Sequence, residues 1–158
     1  MNQENKKAFT LIEMVVAVFI IIIAVVGIIE MTSKYVQRTK FEKESYVAAL
    51  LGQEGVEIVK NIRDNNWING LSWNNNLSDG NWEVDYDDAV LTSVTPGSER
   101  FLYIDSNNYY NYSSGTPSIY KRTITLANNG DKISIIVNVS FRLNQVTVKQ
   151  DIYNWYNP

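Results

Sequence analysis

A run of sixteen apolar residues, Met14 to Ile29, follows directly on a single carboxylate, Glu13. Counted from Phe9, the stretch to Ile29 holds 21 residues, about 31 Å of helix at 1.5 Å per residue, which matches a hydrocarbon core of about 30 Å. The segment is long enough to span a membrane, so the rest of the 158-residue chain amounts to one small domain on an anchor. A charge at the bilayer centre costs roughly 2.5 to 3.5 kcal/mol even on the gentler insertion scales, which makes Glu13 a functional residue by default.

One explanation of Glu13 is local. Thr10-x-x-Glu13 ahead of an apolar run is a capping box, in which hydroxyl and carboxylate satisfy free backbone donors at a helix start. That accounts for Thr10 and Glu13. It leaves unexplained the short polar leader ending in Lys6 and Lys7, the small residue Ala8, the Phe9 after it, and the spanning length of the helix.

Taken together, Lys6-Lys7-Ala8-Phe9-Thr10-Leu11-Ile12-Glu13 and the apolar run resemble the processing site of type IV prepilins and pseudopilins: a small residue, Phe-Thr-Leu-Ile-Glu, then an apolar stretch. The resemblance covers about a fifth of the chain, and its specificity lies in the combination. It implies that a prepilin peptidase cuts between Ala8 and Phe9 at the cytoplasmic face and that the new Phe9 amine is methylated. It implies further that Glu13 pairs with the Phe9 amine of a neighbouring subunit when helices bundle in a fibre. The pairing has a physical motive, because a carboxylate in an apolar bundle needs a partner charge or good hydrogen bonds. Two departures stand out. Ala8 replaces the usual Gly, which bears on the rate of processing, and the helix-kinking Pro of many major pilins is missing, with only Gly27 interrupting the apolar run.

A secretory signal is the competing reading of such an N-terminus. Its apolar stretch is about 7 to 15 residues and ends at a small-residue cleavage site. Here the run is longer and leads into Glu30-Met31-Thr32-Ser33-Lys34 with no Ala-x-Ala pattern, so cleavage after the run is not expected. For orientation, Lys6 and Lys7 precede the run whereas Lys34, Arg38, Lys40 and Lys43 follow it. Charge alone would put the C-terminal domain in the cytoplasm. The resemblance requires the opposite, with Lys6 and Lys7 holding the leader inside, and we follow the resemblance.

The chain has no cysteine and no histidine. A disulfide framework, thiol chemistry and Cys-based zinc sites are excluded, and the usual neutral-pH acid/base is missing. No enzymatic activity and no cofactor are expected. The C-terminal disulfide loop of many Gram-negative major pilins is also absent, and with the missing Pro this tilts the resemblance toward a minor pilin or pseudopilin.

Beyond the run the helical pattern continues. Val47, Leu51, Ile58 and Ile62 lay one apolar stripe that should cover a sheet. Gly52 and Gly55 weaken this stretch by up to about 1 kcal/mol each relative to Ala; they suit either close helix approach in a fibre or a locally flexible helix. Asn becomes dense from Asn61 to Asn81, which predicts a helix end and a loop. Trp67, Trp73 and Trp82 in that loop read as lids on a small core, in preference to a glycan-binding platform. Strands are predicted at Glu83 to Asp87, Phe101 to Ile104, Tyr120 to Leu126, Ile133 to Leu143 and Val146 to Trp155. The surest has Ile133, Ile135, Val137, Val139, Phe141 and Leu143 in strict period two. Asn129-Gly130 and Arg142 to Gln145 mark the two reversals between the last three strands.

Three surface features remain. Asp85, Asp87 and Asp88 form an acidic group. Some major pseudopilins bind calcium through a C-terminal loop, but this spacing lacks the Gly and terminal Glu of an EF-hand loop, and we expect a solvated acidic edge with no metal. The run Tyr109-Tyr110-Asn111-Tyr112-Ser113-Ser114-Gly115 is read as a mobile loop with partly packed tyrosines in preference to an adhesive surface. Lys34, Arg38, Lys40 and Lys43 would meet lipid headgroups, and from residue 65 onward nine acids face six bases, so no direct nucleic-acid binding is expected.

The expected architecture is α+β and pilin-like: a leader at residues 1–8, a transmembrane and fibre-core half-helix at 9–31, an amphipathic half-helix at 32–64, and an antiparallel β-rich head at 65–158. The expected role is structural, in a type IV pilus or type II secretion pseudopilus. The implied partners are the prepilin peptidase and N-methyltransferase, other pilin subunits, an inner-membrane assembly platform and the lipid bilayer. The chain would sit in the cytoplasmic membrane as a single pass with its N-terminus in the cytoplasm, then leave it in a fibre. The rivals are a single-pass anchored binding or adhesion domain that never polymerises, and a membrane-tethered enzyme built on the aspartates.

Overall fold

The computed structural model describes residues 10–155. One helix, α1 (Leu11–Ile68), is followed by eight strands: β1 (Gly80–Glu83), β2 (Thr92–Ser93), β3 (Tyr103–Ile104), β4 (Tyr110–Asn111), β5 (Thr116–Pro117), β6 (Tyr120–Asn128), β7 (Lys132–Phe141) and β8 (Asn144–Tyr153). Chain contacts divide within α1, between Glu42 and Lys43.

In the N-terminal unit the helix carries its apolar side chains outward. Every large apolar residue from Leu11 to Ile29 is exposed, and by length and composition this part can cross a membrane. Thr32 and Ser33 hydroxyls donate to the carbonyls of Ile28 and Ile29 at 2.8 and 3.0 Å, so the first polar side chains after Glu30 are satisfied by the helix itself.

In the C-terminal unit residues 43–68 of α1 lie on a sheet. The five strands run in the order β2-β1-β6-β7-β8, all pairs antiparallel, and β3 forms a small second sheet with β4 and β5 on either side. This is an α+β, pilin-like arrangement, in which the C-terminal part of a long helix lies on an antiparallel sheet. The predicted alternation in β7 holds: Ile133, Ile135, Val137, Val139 and Phe141 are buried, and the residues between them are half-buried. Each such side chain contributes roughly 1.5 to 3 kcal/mol when fully buried, so this strand carries much of the core. Leu51, Ile58 and Ile62 of the predicted stripe are buried with Ala48, Val56 and Val59, and Val47 packs against them.

Several expectations are corrected. The helix does not stop at residue 64. It runs to Ile68 and ends in a Schellman motif, with Leu71 N–H donating to the Asn66 carbonyl, Gly70 N–H to that of Trp67, and Gly70 at φ 67°. Asn66 sits inside the helix, buried, and its side-chain amide donates to the carbonyls of Trp73 and Asn75, tying down the loop that follows. The strand predicted from Glu83 ends at that residue, and Asp85 to Asp88 form a turn because the Asp88 carboxylate accepts the Asp85 N–H at 2.9 Å. Leu143 belongs to no buried face; it is fully exposed in the two-residue turn between β7 and β8. The three tryptophans do lie on the core, Trp73 buried and Trp67 and Trp82 partly so.

Gly52 and Gly55 follow neither reading. Both are buried against this chain's own sheet: a Cβ at Gly52 would meet Val148 Cγ2 at 2.6 Å, and one at Gly55 would meet Val137 Cγ1 at 3.1 Å. They let the helix backbone approach β7 and β8 more closely than any side chain allows.

Candidate processing and assembly site

Of the residues singled out by sequence, Lys6, Lys7, Ala8 and Phe9 lie outside the described residues, and Glu13 lies within them. The capping box is formed. Glu13 Oε2 accepts the Thr10 N–H at 2.8 Å and the Thr10 hydroxyl at 2.9 Å, and Thr10 Oγ1 accepts the Glu13 N–H at 3.3 Å. In the single subunit the carboxylate therefore has local partners while remaining exposed beside an uncovered apolar helix. Nothing within 4 Å would meet a Cβ on Gly27, the one break in the run.

The other candidate features sit in the head. Asp85 Oδ1 accepts the Tyr112 N–H at 2.8 Å, and burial, opposed by that hydrogen bond, raises the Asp85 carboxyl above its ordinary value. Among the described residues no group of three or more potential ligands is placed to hold a metal ion. The tyrosine run divides by position. Tyr112 is buried, Tyr110 packs edge-on against Tyr120 with centroids 5.9 Å apart, and Tyr109 is exposed and stacked on Tyr86. The run is thus largely structured: β4 lies within it, and Gly115, at φ 132°, passes so close to the Ile104 carbonyl that no side chain fits there.

Sequence reasoning missed the polar centre of the head. Arg122, on β6, is fully buried, with Nη2 donating to the Val84 carbonyl at 2.6 Å, Nη1 donating to the Leu51 carbonyl at 3.3 Å, and Glu54 Oε1 3.2 Å from Nη1. It joins helix, β6 and the segment after β1 through one side chain. Beside it, the buried Glu83 carboxylate accepts the Arg100 N–H at 2.9 Å and Nε at 2.8 Å, and the Arg100 guanidinium lies 5.0 Å from the Tyr112 ring centroid. Tyr112 in turn donates its hydroxyl to the Arg122 carbonyl at 2.7 Å. The signal available in the sequence was an Arg at an inward position of the alternating strand Tyr120 to Leu126, where period two demands an apolar residue.

An exposed helix of membrane-spanning length thus begins at a Thr-capped Glu, and the head is held by a buried polar network. Residues 4–29 match the family model described as the prokaryotic N-terminal methylation motif. The N-terminal region matches a prepilin-type methylation motif. Type IV pilins and pseudopilins carry this motif, and together with the α+β architecture it supports a structural role of the pilin type. The motif spans the cleavage and methylation positions suggested by the sequence and the apolar run as far as Ile29. No curated protein and no solved structure matches the chain.

Proposed function

We propose that this chain is a structural subunit of a type IV pilus or type II secretion pseudopilus. In this reading a prepilin peptidase cuts between Ala8 and Phe9, the Phe9 amine is methylated, and the subunit waits in the cytoplasmic membrane as a single pass with its leader inside. Glu13 then leaves its Thr10 partners for the Phe9 amine of a neighbour. The observation that carries the reading is the methylation motif over residues 4–29, which overlaps a helix whose large apolar side chains from Leu11 to Ile29 are exposed among the described residues. Such a surface must be covered by lipid or by other apolar helices, and a fibre exchanges the one for the other.

A non-polymerising anchored binding domain is the second reading, and the closed capping box favours it to the extent that Glu13 already has partners. The N-terminal residue of the protein taken from its own membranes separates the two. Intact mass and N-terminal peptide mass spectrometry should show a chain beginning at Phe9 with one added methyl. A chain still beginning at Met1 would remove the pilin reading and leave the anchored domain.

A further inference from the structure

Tyr86 and Tyr109 come from different loops, one after β1 and one before β4, yet their rings stack with centroids 4.8 Å apart and planes 21° from parallel. They are 42% and 53% exposed, so the pair presents π-surface to solvent. Both loops are fixed by short-range bonds. Asp88 accepts the Asp85 N–H at 2.9 Å, and Asp105 Oδ1 accepts the N–H groups of Asn107 and Tyr109 at 2.8 and 2.9 Å. Little ordering remains to be paid on binding. Asp85 and Asp87 flank Tyr86 in the chain, and Asp105 accepts the Tyr109 N–H, so carboxylates lie beside both rings; in keeping with this, the Tyr86 hydroxyl is raised above its ordinary value, first by the charge of Asp87. A preorganised π-surface ringed by negative charge selects a cation.

The same chain supplies one. Lys34, Arg38, Lys40 and Lys43 are exposed on α1. Arg38 is paired with Glu42, whereas Lys34, Lys40 and Lys43 have no carboxylate partner among the described residues. Lys40 and Lys43, three apart, share a helix face. We infer that the Tyr86–Tyr109 pair with Asp85, Asp87 and Asp105 is a docking surface for the lysine-bearing segment 34–43 of a second copy of this chain. The inference rests on the subunit role proposed above. In the membrane these lysines would lie among lipid headgroups; in a fibre the neighbour's carboxylates and tyrosine rings replace those headgroups as the subunit is withdrawn from lipid. The surface thereby offsets the electrostatic cost of extraction and sets which face of the head meets the neighbour's helix.

The chain contains no cysteine, so the contact can be trapped without background. Two differently tagged full-length copies, one Asp87→Cys and one Lys40→Cys, are expressed together, and sheared fibres and membranes are treated in parallel with a short bismaleimide, the fibre fraction being the one in which the contact is read. A mixed dimer is expected, and adding Tyr86→Ala and Tyr109→Ala to the Asp87→Cys copy should lower its yield by about fivefold. The control pair, Leu143→Cys with Lys40→Cys, should give none. No mixed dimer when both cysteines react with a monofunctional maleimide, or equal yield from the control pair or from the tyrosine-free copy, overturns the docking surface. The N-terminus is read in the same samples. A chain beginning at Phe9 without the cross-link sinks the docking alone, and a chain beginning at Met1 sinks the subunit reading whether or not the cross-link forms.

Discussion

Arg142 and Glu44 form a two-point ion pair, with Nε and Nη2 of the arginine each 2.9 Å from one oxygen of the carboxylate. The pair ties the turn between β7 and β8 to α1. The Glu44 carbonyl adds a second tie by accepting the Tyr120 hydroxyl at 3.2 Å. Arg142 adopts φ 52°, a conformation that glycine takes without cost and other residues resist. Arg142→Ala loses the pair and keeps the strained backbone, whereas Arg142→Gly loses the pair and relaxes it. We therefore expect Arg142→Ala to destabilise the head by about 1 kcal/mol, on the scale of a well-formed but half-exposed pair. Arg142→Gly should be less damaging. Thermal melts of the full chain in detergent at low and high salt check this: the wild type should lose more Tm with salt than either variant, and a glycine variant no better than alanine would contradict the account.

Gly52 should reject even a methyl group. Alanine gains about 1 kcal/mol of helix propensity over glycine. At Gly52, however, its Cβ would lie 2.6 Å from Val148 Cγ2, and overpacking of this kind costs roughly 1 to 3 kcal/mol. Gly52→Ala is expected to lower stability, and Val148→Ala in the same chain to restore part of the loss, giving a coupling measurable in a double-mutant cycle. Gly27→Ala meets nothing within 4 Å in the single subunit and should not lower the Tm. Additive effects of the Gly52 and Val148 changes would mean that the helix does not ride on β8 at this point.

What the sequence made legible follows from period. The strand at Ile133 to Phe141 was readable because its inward positions are all apolar and its outward ones, Ile136 apart, are polar, and the stripe through Leu51, Ile58 and Ile62 because helix spacing repeats in it. The end of α1 was misplaced because asparagine has two uses. Asn66 bonds forward to the loop from within the helix, while the true stop is Gly70, where a positive φ is needed. The aspartates after Glu83 mimicked an alternating strand, although their carboxylates take up backbone N–H groups and close a turn. Arg122 was passed over because burial of a guanidinium depends on three carbonyl or carboxylate partners from segments far apart in the chain, which no local pattern records. In the candidate site, Glu13 and Thr10 were legible from their spacing, and the acidic tyrosine pair was not, since its halves are 23 residues apart.

Tyr112 makes the head sensitive to alkali. Burial pushes its hydroxyl up to about 12 from an ordinary 10, and Tyr120 is raised to about 12 by the same cause. Because the folded state holds the proton more tightly than the unfolded chain, this stabilisation is fully present below pH 10 and is lost as pH rises from 10 through 12. For Tyr112 the two-unit shift corresponds to about 3 kcal/mol. Tyr112→Phe removes a hydroxyl that donates to the Arg122 carbonyl at 2.7 Å, so it should cost about 1 kcal/mol near neutral pH while flattening the alkaline fall. Stability measured against pH on both proteins tests the sign, and a wild-type profile that rises between pH 10 and 12 would refute it.

Glu13 offers the sharpest separation of capping from assembly. Its Oε2 is held by the Thr10 N–H and hydroxyl in the single subunit, and glutamine can make the same two bonds through its side-chain carbonyl. Glu13→Gln therefore preserves the helix start and removes only the charge. If the carboxylate does no more than cap, the variant should be indistinguishable from wild type, and Glu13→Ala should cost about 1 kcal/mol of helix stability. If the carboxylate pairs with a neighbour's Phe9 amine in an apolar bundle, the loss of its charge leaves that amine uncompensated, a penalty of roughly 3 to 5 kcal/mol per contact. Membrane levels and N-terminal processing of Glu13→Gln should then match wild type while its yield in sheared extracellular or periplasmic fibres collapses. Fibre incorporation at wild-type level would show that this helix assembles, if it does, without the charge at Glu13.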